Sequence, residues 1–355
     1  MTKSELEGTA AALVARGKGL LAADETVPTL TKRFDALKIE STPESRRDYR
    51  QMLLTTPGAS EFISGVILHD ETIRQQASGG LRLASECSHL GMLPGIKVDR
   101  GTKPLAGFEG EHVTEGLDGL RERLAEYREL GARFAKWRAV FDLSDVLPSS
   151  GCVAANAHAL GRYAALCQEQ GLVPIVEPEL LMNGTHSIER CEEATGRVLH
   201  AVFAALFEQA VRLEGMLLKP NMTVAGAACP RQASVEEVAE VTLRCLRRHV
   251  PPAVPGVVFL SGGQNDVLAT RHLDAINRAE GPKPWALSFS YGRALQDTAL
   301  ATWLGKPERV AAAQRVFCHG ARCNSLAARG AYTDAEERQS HGARAPDHLA
   351  GWHDD

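Results

Sequence analysis

The residues best suited to chemistry stand at the ends of short apolar runs. Glu214-Gly215-Met216-Leu217-Leu218-Lys219-Pro220-Asn221 is such a run, and it ends on a lysine. Leu217 and Leu218 read as a fully buried strand, and Pro220 biases the residue before it toward an extended backbone, so the pattern predicts Lys219 at the strand's C-terminal tip. A lysine held there is either a paired structural cation or an amine placed for nucleophilic attack. Other charged residues stand two apart, hence on one face of a strand: Lys97 with Asp99, Lys136 with Arg138, and Glu177 with Glu179, while Asp24 ends an earlier run. Charge buried at this density is costly unless paired and usually marks a site. Two further runs end in glycine, as Leu260-Ser261-Gly262-Gly263 and Ser290-Tyr291-Gly292-Arg293. Glycine lets backbone N–H groups approach an anion at a helix start and arginine adds a bidentate clamp, a combination suited to phosphate. The S-G-G alone is often only a turn; paired with Y-G-R in the next loop it carries more weight.

Positioning these residues falls to eight strand-like runs, at 19–24, 65–70, 95–99, 134–141, 172–177, 215–219, 257–261 and 286–290. Stretches with helical periodicity separate them. Residues 117–130 repeat Leu117, Leu120, Leu124 and Tyr127 at helical spacing before Gly131, and 152–170, 188–213, 235–248 and 265–278 behave similarly. Strand alternating with helix eight times predicts a (β/α)8 barrel, whose active site lies where the strands end. The stretch before the first strand and the helical material at 43–61 are additions to the barrel. Residues 1–331 are expected to form one catalytic domain, and 332–355, polar and without an apolar face, a mobile C-terminal tail.

With 44% hydrophobic and 24% charged residues in 355, the chain can bury a large core, and its net charge of −4 argues against nucleic acid as the main partner. Lys3, Glu5 and Glu7 stand where a signal peptide would be apolar, and no stretch has the apolar length of a membrane span, which predicts a soluble cytoplasmic protein. The eight cysteines are scattered without a C-x-x-C and read as reduced thiols. The twelve histidines form no H-E-x-x-H and no zinc-finger spacing with cysteine, and the strand ends offer only His69, so neither a catalytic metal nor another cofactor is expected.

Together these residues resemble the class I, Schiff-base fructose-bisphosphate aldolases. The resemblance rests on L-A-A-D-E-T (21–26), K-R (32–33), G-I-K-V-D (95–99), A-K-W-R (135–138), V-P-I-V-E-P-E (173–179), L-E-G-M-L-L-K-P-N-M (213–222), F-L-S-G-G-Q (259–264) and W-A-L-S-F-S-Y-G-R-A-L-Q (285–296), in family order over nearly the whole chain. It implies reversible cleavage of fructose 1,6-bisphosphate to dihydroxyacetone phosphate and glyceraldehyde 3-phosphate, within a homotetramer. By position it makes Lys219 the Schiff-base lysine and Glu177 the principal proton-transfer residue, with Asp24, Lys136, Arg138 and Glu179 completing the reacting site. It sets Ser261, Gly262, Gly263, Ser290, Gly292 and Arg293 around the 1-phosphate, and Lys97, Thr26 and Thr29 near the far phosphate. The chain departs from the family in having Thr26 and Thr29, around Val27-Pro28, where serines are usual, and in ending Trp352-His353-Asp354-Asp355 where many members end in tyrosine. Lys219 must attack as a neutral amine, yet an ordinary lysine is neutral in only about one molecule in a few thousand at pH 7. Burial and the like charge of Lys136 are expected to lower that barrier. Another Schiff-base aldolase of sugar phosphates and a non-catalytic phosphate-binding scaffold are the alternative readings, which a cleavage assay separates.

Overall fold

Eight parallel strands close on themselves in the order β1-β10-β9-β8-β7-β6-β3-β2 in the computed structural model, which describes residues 3–339. The strands are β1 (Gly19–Ala23), β2 (Ile63–Leu68), β3 (Leu93–Lys97), β6 (Phe134–Phe141), β7 (Val173–Leu180), β8 (Leu217–Leu218), β9 (Gly256–Phe259) and β10 (Ala286–Tyr291); β4 (Thr102–Pro104) and β5 (His112–Thr114) form a small antiparallel hairpin outside the barrel. Helices α1 (Lys3–Leu13), α2 (Val27–Ala36), α3 (Pro43–Leu54), α4 (Asp70–Arg74), α5 (Leu83–His89), α6 (Leu120–Glu129), α7 (Ser150–Glu169), α8 (Ile188–Glu208), α9 (Val235–His249), α10 (Asp266–Arg278), α11 (Arg293–Trp303), α12 (Val310–Ala327) and α13 (Asp334–Arg338) surround it. This is the (β/α)8 barrel that the alternation of runs predicts.

The strands are buried on both faces, so they read as unbroken apolar runs, while strand register decides what enters the interior. Gly95 pairs with Phe134 and Phe134 with Val173, one step below Lys97 with Lys136 and Lys136 with Ile175. Residues two apart share a face, so Phe134, Lys136 and Arg138 all turn inward. Gly95 is required there, since a Cβ would lie 2.2 Å from the Phe134 ring. The strand-start layer of Leu20, Phe134, Ile175, Leu217 and Val258 is apolar and is covered by Leu6, Ala10 and Leu13 of α1. That helix stoppers one end of the barrel and leaves the charged ends of the strands as the only mouth built from inward-facing polar residues among those described.

Local chemistry sets the helix starts. Ser149, Ser187, Ser234 and Asn265 each accept a backbone N–H bond at the N-cap of α7, α8, α9 and α10. The Val27-Pro28 departure resolves in the same way: Thr26 caps α2, Pro28 sits in the first turn where its missing N–H costs nothing, and Thr29 N–H donates to Thr26 Oγ1 at 3.3 Å.

Boundaries differ from expectation in identifiable places. Asp24, Asp99, Lys219 and Ser261 lie one or two residues past their strands, although the ladder continues through Val98 N–H to Lys136 O and Lys219 N–H to Val176 O. The helix expected over 188–213 stops at Glu208, because Ala210 takes a left-handed φ of 53°, and a single 3-10 turn covers Leu213–Gly215. The start of the expected mobile tail is packed instead. Tyr332 is buried and its N–H donates to Asp274 Oδ1, while Asp334 and Glu336 pair with Arg271 and Arg322. Residues 340–355 lie outside the described residues.

Candidate active site

Four ionisable side chains converge at the mouth. Lys136 Nζ lies 2.7 Å from Asp24 Oδ2 and 3.0 Å from Glu177 Oε2, and Lys219 Nζ lies 2.9 Å from Glu177 Oε1. None of the four residues is more than 9% exposed. Two cations against two anions leave the group neutral, which is the condition for charges to survive burial. Glu177 Oε2, despite its contact with Lys136, accepts no aligned hydrogen bond and keeps acceptor capacity for another donor.

Opposed pairing overrides desolvation here. Burial pushes the Asp24 carboxyl up, but the ammonium groups of Lys136 and Lys219 hold it below the usual carboxylate range. Burial likewise raises Glu177, and Lys136, Lys219 and Arg138 together bring it down. Lys136 is pushed down by burial and carried above the ordinary lysine range by Asp24, Glu177 and Asp99. Lys136 therefore remains an ammonium, and Asp24 and Glu177 carboxylates, through the neutral range.

A second tier surrounds the four. Arg138 Nε donates to Glu179 Oε2 at 2.5 Å, across neighbouring strands whose register pairs Arg138 with Glu177. Lys97 Nζ meets Asp99 Oδ1 at 2.5 Å, and Asp99 Oδ2 accepts the Arg138 backbone N–H at 3.2 Å. The eight charged residues from the five strand ends thus form two bonded groups at one mouth, coupled through the charges of Asp99 on Lys136 and Arg138 on Glu177. The Thr26 and Thr29 hydroxyls, 2.9 Å apart at the start of α2, are bonded to each other.

The glycine loops follow β9 and β10. Gly262 and Gly263 adopt left-handed φ values of 59° and 77°, open to glycine without strain. Ser261 is buried and its carbonyl accepts both the backbone and side-chain N–H of Gln264. Ser290 turns inward from β10 with its buried Oγ unpartnered, and Gly292 caps α11, which Arg293 opens. Two successive loops thereby place Gly262, Gly263, Gly292 and Arg293 just past the ends of β9 and β10.

Some supporting residues carry no sequence signal of their own. Fully buried Gln296 donates to Ala22 O at 2.5 Å and accepts from Tyr49 OH at 2.9 Å, tying α11 to the end of β1. Arg33 bridges Glu25 and Asp297, each at 2.7 Å. Arg50, with no exposed surface, donates to the backbone oxygen of Glu25 at 2.6 Å. His272 Nδ1 faces Gln264 Oε1 at 2.5 Å and so steadies the Ser261 loop. Glu25, Arg33, Gln264 and Gln296 fall within quoted motifs, whereas neither the position nor the type of Tyr49, Arg50 and His272 points to a site.

Comparison with known proteins agrees with this geometry. The family described as class I fructose-bisphosphate aldolase, glycolytic, matches residues 5–347. A relative from Xanthomonas campestris pv. campestris, named probable fructose-bisphosphate aldolase class 1, is 55% identical over 331 residues, covering 93% of this chain and 99% of its own. Fructose-bisphosphate aldolase C of Rattus norvegicus is 50% identical over 331 residues, covering 93% and 91%. Among solved structures, Plasmodium falciparum fructose-bisphosphate aldolase, in complex with TRAP and a small-molecule inhibitor, superposes with a TM-score of 0.91 at 50% identity, covering 93% of this chain and 95% of that one. With a buried lysine–carboxylate cluster at the mouth of a closed (β/α)8 barrel, the chain belongs to the class I fructose-bisphosphate aldolases, which are carbon–carbon lyases.

Proposed function

We propose that the mouth carries out the reversible cleavage of fructose 1,6-bisphosphate through an imine on Lys219. The observation that carries this reading is that Glu177 bridges two buried lysines, 2.9 Å from Lys219 and 3.0 Å from Lys136. Lys219 Nζ adds to the C2 carbonyl of the open-chain ketose, and loss of water gives an iminium. Glu177 takes the proton of the C4 hydroxyl, the C3–C4 bond breaks, and its electron pair moves to the iminium as an enamine while glyceraldehyde 3-phosphate leaves. Protonation of the enamine at C3 and addition of water to the resulting iminium release dihydroxyacetone phosphate and the free lysine. Lys136 and Asp24 stay charged throughout, orienting the hydroxyls and balancing the charge that passes through the iminium.

Ser261, Gly262, Gly263, Ser290, Gly292 and Arg293 hold the 1-phosphate in this reading. Lys97, with the Thr26 and Thr29 end of α2, holds the far one. Glu179 fixes Arg138 beside Glu177. The setting we propose is a cytoplasmic homotetramer, as the family resemblance suggests, with light scattering as its test; among the described residues no helix is long and apolar enough to cross a membrane.

Borohydride added with dihydroxyacetone phosphate should reduce the imine and leave a permanent adduct on Lys219, located by peptide mass spectrometry. An adduct on Lys136 instead would overturn the assignment. Lys219→Arg should abolish turnover, since arginine stays protonated, and EDTA should leave cleavage unchanged because the electron sink is an iminium.

A further inference from the structure

On the outer helical layer, His319 and Cys323 stand one turn apart on α12, and α13 brings Glu337 over them. One ligand atom from each lies within 4.8 Å of the others. Cys323 Sγ is 3.4 Å from His319 Nε2. A tetrahedral ion with bonds of about 2.3 Å to sulfur and about 2.0 Å to nitrogen sets those two ligands about 3.5 Å apart. The pair is therefore already spaced as two corners of such a coordination shell. Glu337 is oriented from behind, since Tyr332 OH donates to its Oε2 at 2.8 Å, the kind of outer partner that holds a metal-binding carboxylate. Tyr332 is itself anchored through its N–H to Asp274 of α10. Cys323 is 2% exposed, whereas His319 and Glu337 are half-buried and leave an approach from solvent.

From this arrangement we propose that His319, Cys323 and Glu337 form a binding site for a thiophilic divalent cation, of which zinc is the best match, and that the bound ion clamps α13 to α12. A histidine nitrogen, a thiolate and a carboxylate oxygen supply three protein ligands, and a water fills the fourth position. Binding replaces the thiol proton with the metal, so one proton passes to solvent for each ion bound and nothing is oxidised or reduced. No residue of the cluster belongs to the barrel mouth. The ion's role is structural: it fastens the point from which the chain continues into residues 340–355, which lie outside the described residues.

Cobalt(II) is the probe, because its thiolate complexes show a charge-transfer band in the near ultraviolet. Titration of the reduced full-length protein should give this band, saturating at a single equivalent and reversed by zinc. Cys323→Ser should remove it, Cys318→Ser should leave it intact, and Glu337→Gln should weaken cobalt binding roughly tenfold or more. Aldol cleavage, measured in parallel, should be unaltered in all three variants, which shows that they fold. Absence of the band in the unaltered chain, or its persistence in Cys323→Ser, would refute the site.

Discussion

Lys136 holds Asp24 and Glu177 in one electrostatic state, since it is their common cation. Both carboxyls are depressed, so the stability they contribute is present above the ordinary carboxylate pKa and is lost as pH falls through their depressed values. Lys136 is raised, so its contribution is present below the ordinary lysine pKa and is lost as pH rises through its raised value. Between about pH 5 and pH 9 none of the three changes charge, given ordinary pKa values of about 4 and 10.4 to start from. Lys136→Met strips both carboxylates of this cation, so burial then raises them. The expected result is a kcat lower by orders of magnitude, with the acid limb of the kcat/KM profile moved toward neutral pH; an unmoved limb would contradict the role given to Lys136. At the substrate's two ends, Arg293→Ala should raise KM strongly for both fructose 1,6-bisphosphate and fructose 1-phosphate, because a charge-assisted clamp on the shared phosphate is lost. Lys97→Ala should penalise only the bisphosphate strongly, and equal penalties would place Lys97 elsewhere. The charged residues could be read from sequence because each ends or follows a strand, where spacing of two fixes the face. Gln296 and His272 could not, because a single polar residue on a helix looks the same whether it meets solvent or a buried partner.

At the scale of elements, the barrel and its helical additions were legible and the hairpin outside it was not. Eight apolar runs separated by helical periodicity leave few alternatives, whereas the hairpin strands β4 and β5 have three residues each, too few to show alternation. Helix α3 misleads more seriously. Arg46-Arg47-Asp48-Tyr49-Arg50 sets four charges around one aromatic, yet Arg46, Tyr49 and Arg50 are buried. The reason is that the segment after β1 and helix α4 bring acids to meet them. Arg46 pairs with Glu71, and Arg50 lies 3.8 Å from Glu25 and 3.6 Å from Glu71 while bonding the Glu25 carbonyl. Pairing between distant segments is invisible to local pattern. It also gives α3 a task, because Arg50 and Tyr49 brace the residues that follow β1 and hence Asp24. Breaking a buried pair typically costs about 3–5 kcal/mol, but Glu25 keeps Arg33 and Glu71 keeps Arg46. Arg50→Leu should thus destabilise the fold by only about 1–3 kcal/mol in urea unfolding, the range for losing hydrogen bonds to charged groups. Its kcat should nevertheless fall with KM little changed, and an unaltered kcat would detach α3 from the site.

Across the whole molecule, the remaining question is where the catalytic body ends. Contacts of Tyr332, Asp334 and Glu336 with α10 and α12 extend the packed body at least to α13, past the boundary expected at 331. A polar stretch without an apolar face can still be fixed by ion pairs at its edges, and such pairs leave no periodicity to read. The enamine must take a proton at C3 before release, and the segment from Ala343 to Asp355, outside the described residues, contains Trp352 and His353. Histidine could carry that proton near neutral pH. Against this, Glu177, which in the proposed reaction carries the proton taken from the C4 hydroxyl, lies 2.9 Å from Lys219 in the mouth, so a donor to the enamine does not have to come from the tail. Deleting residues 343–355 should consequently change bisphosphate cleavage by less than about tenfold, a barrier change below about 1.4 kcal/mol. Deletion from residue 332 onward should behave differently, lowering thermal stability through loss of the Tyr332 and Asp334 contacts. If the shorter deletion instead costs kcat heavily at unchanged KM, and a chain restored through His353 recovers it, then His353 delivers the proton to the enamine.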